Sequence, residues 1–327
     1  MSAVPATVVH VTRDRTIVVY YLAAALVWGA SFLFIKVGLD EGLSPAQVVL
    51  ARLTLGAVAL LVAMLVLRRR WPRGARTWGH LAVLGVVLCV VPFLLFSWAG
   101  QHLTSGLASI LNATTPLMTA AWAAALLPTE RLVARQRVGL LVGIVGVVVV
   151  VAPWTWLAGG VSASLPAVLA CLGATASYGI GTTYLRRFVT PLGLPPESVA
   201  AGQIGAGALL VLAASPFVVP SSALGTLEVS WPLVGAMVAL GALGTGAAYV
   251  WFNRIVDAWG AQRASTVTYL TPLVGVVLGA LVLGERVHWY EPVGGVLVVL
   301  GVVVAQRAKR TPVVDAVPGE TLGARTA

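Results

Sequence analysis

GALGTGAAYVWFNRIVDAWGAQRASTVTYLTPLVGVVLGALVLGER, the stretch from Gly241 to Arg286, decides how this chain is built. It reads as two apolar helices joined by a short polar turn and closed by a Glu-Arg pair. A weaker copy of it lies upstream. Ala264-Ser265 and Thr271-Pro272-Leu273 repeat Ala108-Ser109 and Thr115-Pro116-Leu117 at an offset of 156 residues. Glu285-Arg286 repeats Glu130-Arg131 at an offset of 155, and Gly294 and Gly301 repeat Gly139 and Gly146 at the same distance. The chain is therefore an internal duplication.

Composition sets the solvent. With 59% apolar and only 10% charged residues, the chain is an integral membrane protein, because a water-soluble domain of 327 residues needs more polar surface. The net charge of +10 does not point to nucleic acid. The basic residues cluster at the ends of apolar segments, with no basic, aromatic-interleaved surface stretch. Cys89 and Cys171 fall inside apolar segments and read as packed thiols rather than a disulfide or metal pair.

A spanning helix takes roughly 20 apolar residues. Ten such segments are expected, near residues 17–37, 45–67, 78–98, 105–127, 137–152, 164–184, 197–219, 231–254, 260–283 and 291–306. Short Pro- or Gly-bearing connections such as Ser44-Pro45, Pro195-Pro196 and Trp259-Gly260 leave no room for a soluble domain. Residues 1–16 form an N-terminal segment with no cleavable signal, 17–153 a first five-helix repeat and 164–306 a second. Residues 307–327 read as a disordered tail. Placing both termini in the cytoplasm puts 18 of the 21 Lys and Arg residues on the inner side, as the positive-inside rule requires.

The duplication extends through each half. Trp28-Gly29 aligns with Tyr178-Gly179, Lys36 with Arg186, Pro45 with Pro196, Arg52 with Gln203 and Phe93 with Tyr249. Five helices per half is an odd number, so the second half enters the membrane upside down. The fold class is all-α, with ten transmembrane helices as two inverted five-helix repeats. That architecture belongs to carriers, whose related halves exchange conformations to alternate access.

These residues resemble the drug/metabolite transporter superfamily, specifically its ten-helix EamA-type permeases. The resemblance rests on Trp28-Gly29-Ala30-Ser31, Lys36, the Pro45 to Arg52 spacing, and the Thr-Pro-Leu and Glu-Arg elements of each half, and it covers residues 17 to 306. It implies passage of a small metabolite through a central cavity, with export as the expected direction, in the cell inner (plasma) membrane.

Polar residues inside spans are costly and collect along cavities or between helices. Ser105, Ser109, Asn112 and Thr119 make one face of the fourth segment, and Thr115 adjoins it. Thr245, Tyr249 and Asn253 follow at four-residue steps in the eighth; Ser265, Thr268 and Tyr269 stand in the ninth. Arg52 is the sharpest charge, seven residues into the second segment, where an inward-facing guanidinium attracts a carboxylate or phosphate and an outward-facing one snorkels. Trp28, Ser31, Tyr178 and Gln203 complete the expected substrate-binding set. Trp28 and Tyr178 lie mid-segment, unlike Trp71 or Trp231; Trp98 and Trp251 are further stacking candidates.

Pro116 and Pro272 are expected hinges. Each removes the donor to the carbonyl four residues earlier, at Asn112 and Thr268. Those carbonyls are offered to a solute unless the hydroxyls of Thr115 and Thr271 close the gap. Glu130-Arg131 and Glu285-Arg286 read as structural pairs that cap the next helix or bond locally. The glycines near 139 and 294 mark close-packed fifth and tenth helices outside the pathway.

No segment holds a mid-span Asp or Glu, which weighs against proton-driven export of cations. No GxxxxGK[ST] loop is present to make ATP the driver. The expected partner is a small neutral, zwitterionic or anionic metabolite, amino acids among them, with the lipid bilayer as surroundings and no cofactor, metal or catalytic residue called for. Oligomeric state is left open. Two rivals remain: an intramembrane lipid-modifying enzyme, which needs paired carboxylates or a His cluster at depth, and a passive channel.

Overall fold

The computed structural model describes residues 6–127, 132–154, 164–219, 229–259 and 266–306, with side chains described from Arg15 onward and not at 164, 256 and 257. Among the described residues the fold is helical throughout. In chain order the helices are α1 (Ala6–Asp40), α2 (Pro45–Val66), α3 (Ala75–Ala99), α4 (Ser105–Asn112), α5 (Thr115–Leu126) and α6 (Ala134–Val151). The second half continues with α7 (Ser164–Tyr184), α8 (Pro196–Val218), α9 (Trp231–Ile255), α10 (Val267–Leu283) and α11 (Tyr290–Gln306). Nine of these are membrane spans or shorter apolar helices, and α4 with α5 makes the tenth crossing. The start of the expected ninth segment, residues 260–265, the tail after Gln306 and the Glu130-Arg131 pair lie outside the described residues.

Helix starts follow from local chemistry. Ser44 and Gln47 cap α2 reciprocally: the Gln47 amide accepts from the Ser44 backbone N–H at 2.8 Å, and Ser44 Oγ accepts from the Gln47 N–H at 3.3 Å. Pro45 occupies the first turn, where its missing N–H costs nothing. Thr104 and Ser230 cap α4 and α9 one-sidedly, their hydroxyl oxygens accepting from the Leu107 and Leu233 N–H groups.

The packing pairs each element with one from the other half. α1 lies on α10, and its counterpart α7 lies on α5; α2 packs on α9, and α8 packs on α3. α6 and α11 pack on each other. Their glycines make that contact: a Cβ on Gly139 would meet the Gly301 carbonyl at 2.5 Å, and one on Gly146 would meet the Val298 nitrogen at 2.7 Å. Outward faces carry exposed apolar side chains such as Leu65, Leu141, Leu209 and Leu281, as lipid-facing surface does.

Three local features depart from the sequence expectation. First, the fourth crossing is broken at Ala113 and Thr114, so Pro116 opens a new helix, whereas Pro272 stays inside a continuous one. Second, α3 and α9 each contain a widened π-helical stretch, Gly85–Val90 and Ala239–Ala247. Third, Glu285 does not cap the helix that follows it. Gly284 turns the chain in the left-handed conformation (φ 66°), and the carboxylate caps α4 of the other half. It accepts from the Ser105 N–H at 2.7 Å, the Ser105 hydroxyl at 3.0 Å and the Gly106 N–H at 3.2 Å.

Candidate functional site

The two halves enclose one cavity of about 580 Å³, within the range of small-molecule sites. It runs from mid-bundle to the connection between α7 and α8, where Thr190, Leu194 and Pro196 line it. Phe32 and Phe96, on α1 and α3, also line it and meet edge to face with ring centroids 5.3 Å apart.

Among the described residues Arg52 is the only charged side chain on its wall. α2 holds it facing the π-helical stretch of α9, where its Nε donates to Thr245 Oγ1 at 3.1 Å. Its guanidinium lies over the Phe93 ring, 3.6 Å from the centroid. Among the described residues no carboxylate pairs with it; the ion pairs present are Lys36–Asp40, Arg69–Glu197 and His288–Glu291. Its four terminal N–H groups have no protein acceptor there, so they face the cavity as donors. Arg69–Glu197, at 3.3 Å, sits near the cavity mouth and neutralises itself.

Around this charge stand neutral polar groups and a broad aromatic surface. The buried amides of Gln203 and Asn253 each keep a polar atom without a protein partner, Gln203 Oε1 and Asn253 Nδ2. Trp28 is fixed by donation of its indole N–H to the Gly244 carbonyl at 3.0 Å, and it packs against Tyr249 and Phe252. Tyr178 meets Phe96 with centroids 6.2 Å apart.

Ten of the eleven expected binding residues line this cavity: Trp28, Ser31, Arg52, Asn112, Thr115, Tyr178, Gln203, Tyr249, Asn253 and Thr268. Tyr269 does not; its hydroxyl bonds Gln306 on α11 instead. The polar stripes are also narrower than their spacing implied. Ser105 is held by Glu285, Ser109 donates to the Gly106 carbonyl at 2.7 Å, and Thr119 donates to the Thr115 carbonyl at 2.9 Å. These bond within the protein because α4 faces α10 at close quarters: a Cβ on Gly275 would strike Ser109. Thr245 lies behind the wall, since its widened turn sends its hydroxyl to the Leu240 carbonyl five residues back. Ser265 lies outside the described residues. Trp98 and Trp251 do not reach the cavity, Trp251 stacking on Tyr20.

The hinge prolines do not line the cavity either, and their freed carbonyls are not on offer. Thr115 Oγ1 donates to the Asn112 carbonyl at 2.7 Å and Thr271 Oγ1 to the Thr268 carbonyl at 2.9 Å. A hydroxyl one residue before the proline thus replaces the missing backbone donor. Sequence reasoning missed Phe32, Phe96, Phe252, Leu88 and Thr182. Thr182 stands one helical turn past Tyr178 and was within reach of spacing. The phenylalanines were not, since a cavity-facing and a lipid-facing Phe look alike in sequence.

A solute-sized cavity between two duplicated halves of a multi-pass helical bundle is the anatomy of a membrane transporter. Comparison with known proteins agrees. The model of the EamA-like transporter family matches residues 15–152 and again 165–306. The chain belongs to that family. It is 30% identical over 283 residues to the "Probable terminal-alkyne amino-acid exporter" of Streptantibioticus cattleyicolor, covering 86% of this chain and 90% of that one. It is 26% identical to the "Uncharacterized inner membrane transporter YedA" of Escherichia coli (strain K12), over 88% of this chain and 89% of the relative. A solved structure titled "Crystal structure of protein" shares the fold, with a TM-score of 0.60 and 23% identity over 88% of this chain and 96% of that one.

Proposed function

We propose that the chain is a secondary carrier that exports a small carboxylate-bearing organic solute, amino acids included, by alternating access through the central cavity. The observation that carries this reading is Arg52: a guanidinium inside a membrane bundle, on the wall of a ligand-sized cavity, with four donors and no carboxylate partner among the described residues. Such a charge is expensive at membrane depth and is retained where it meets an anionic group. Trp28, Ser31, Asn112, Thr115, Tyr178, Gln203, Tyr249, Asn253 and Thr268 supply the rest of the contact surface. The reach of the cavity toward the α7–α8 connection fits one of two alternating states.

Orientation follows from the basic residues: both termini, the Arg68–Arg76 connection and Arg186-Arg187 are cytoplasmic, in the inner membrane, and the cavity then reaches the cytoplasmic side. Export accords with the name of the Streptantibioticus relative. The test is counterflow in liposomes: purified protein, preloaded unlabelled organic acid, and uptake of the labelled compound. Saturable exchange that is lost in Arg52→Gln is expected. Flux that rises linearly with concentration and shows no exchange would assign a channel, and movement of cationic amines alone would sink the proposal.

A further inference from the structure

Every carboxylate-bearing solute satisfies Arg52, but not every one suits the rest of the wall. We infer that the site selects monoanionic carboxylates without a free ammonium group, such as 2-oxo, 2-hydroxy or N-acyl acids with an apolar or aromatic body, over zwitterionic amino acids. The inference rests on the reading that this cavity carries a carboxylate.

Charge balance is the first support. Among the described residues the wall bears one positive charge and no negative one. A monoanion brings the occupied site to neutrality in a low-dielectric bundle. A zwitterion leaves the site positive and buries an ammonium whose available acceptors are all neutral. Glu197, the acidic side chain near the mouth, is held by Arg69 and is not among the lining residues.

The neutral polar groups are the second support. Gln203 is 4% exposed and Asn253 8%, so water does little for their unpartnered amide atoms. Between them they offer an acceptor, Gln203 Oε1, and a donor, Asn253 Nδ2. Tyr178 and Tyr249 bring two more neutral polar side chains to the wall. A keto oxygen, a hydroxyl or an acyl amide matches such groups without a countercharge.

The apolar remainder is the third. Phe32, Phe93, Phe96 and Phe252 join Trp28 and the two tyrosines around the cavity, which gives a flat hydrocarbon group a face on several sides. Phe93 already covers one face of the guanidinium, and Thr245 takes its Nε. That leaves the terminal pair of nitrogens as the fork for the carboxylate.

The experiment measures binding of four radiolabelled probes of one shape to the purified protein at pH 7: phenylpyruvate, N-acetyl-L-phenylalanine, L-phenylalanine and L-phenylalaninamide. The two monoanions should bind at least about tenfold more tightly than the zwitterion, and the cation should not bind, as expected when an added buried ammonium has no partner. In Arg52→Gln the spread between monoanion and zwitterion should fall to about twofold, because the charge that sets it is gone. Arg52→Lys should keep the order at lower affinity, since the charge stays and the fork is lost. L-phenylalanine binding as tightly as the monoanions would overturn the class preference and leave a carboxylate carrier in place. Tightest binding of the amide, or no binding of any carboxylate by folded wild-type protein, would overturn both. The wild-type series decides the question even if a variant does not fold.

Discussion

Arg52 on α2 and Gln203 on α8 hold corresponding positions in the two halves, and their surroundings correspond too. The widened turn facing Arg52 contains Gly241 and Thr245; the one facing Gln203 contains Gly85 and Cys89, each 156 residues earlier. The ring beneath the guanidinium is Phe93, and its counterpart is Tyr249. On one wall, then, a cation is tethered by a hydroxyl and laid on an aromatic face. On the other, a neutral amide faces a position where the hydroxyl has become a thiol, a weak hydrogen-bonding group. Duplication supplied a symmetric frame, and divergence of three residue pairs placed the charge on one side of it. Under the proposed function, a bound solute would be held off the pseudo-twofold axis, with its acid end toward α2.

The largest expected effect comes from moving that charge. Arg52→Gln should weaken carboxylate binding by about 2–5 kcal/mol, the usual cost of removing one partner of a buried charged pair. The swap Arg52→Gln with Gln203→Arg should recover little, because Cys89 cannot tether the new guanidinium as Thr245 tethers the old. Adding Cys89→Thr should recover a further part. Equal affinity of the swap with and without Cys89→Thr, measured by equilibrium dialysis, would mean that the tether does not distinguish the walls.

Next in size is the packing that brings the walls together. A Cβ on Gly85 would meet the Gln203 carbonyl at 2.6 Å and the Gly207 nitrogen at 2.9 Å; one on Gly241 would meet Leu55 Cβ at 2.6 Å and the Arg52 carbonyl at 3.0 Å. These are backbone or near-backbone atoms that cannot step aside. Gly85→Val and Gly241→Val should each destabilise by about 1–3 kcal/mol, read as an earlier thermal transition in detergent. Gly205→Val, with no atom within 4 Å of its added Cβ, is the control and should change little. A large loss there and none at Gly85 would show that the close approach of α3 to α8 is not what sets stability.

Much of this frame was legible in sequence, for physical reasons. Hydrocarbon demands long apolar runs, so the crossings announced themselves, and repeated Thr-Pro-Leu and Glu-Arg elements exposed the duplication. The charge of Arg52 was conspicuous because charge inside a span is rare. What spacing did not reveal were departures from ideal helix. The π-helical stretch of α9 turns Thr245 out of line with Tyr249 and Asn253, although all three sit at four-residue steps. Glu285 caps a helix 180 positions away rather than the one that follows, because an inverted repeat brings that helix start beside it. Tyr269 is adjacent in sequence to the cavity-lining Thr268, yet it faces the α11 side and bonds Gln306.

The smallest expected effect concerns the two prolines, which occupy matching positions and behave differently. At Pro116 the chain has already broken into short-range bonds, Ala113 N–H to the Ile110 carbonyl and Thr114 N–H to the Leu111 carbonyl. At Pro272 the helix runs on unbroken. The hydroxyl that replaces the missing donor is half-buried at Thr115 but 2% exposed at Thr271. Removing it should therefore cost more at the second site, where cavity water is less able to take over. Thr271→Val should lower stability by about 0.5–1.5 kcal/mol, and Thr115→Val by less, with both keeping the preference for monoanion over zwitterion that Arg52 sets. Thermal unfolding in detergent and dialysis with phenylpyruvate give both readouts. A loss of stability at Thr115 equal to or larger than that at Thr271 would mean that the break before Pro116 is held by its threonine, not by the short-range bonds. A change in preference would return the two carbonyls to the substrate site.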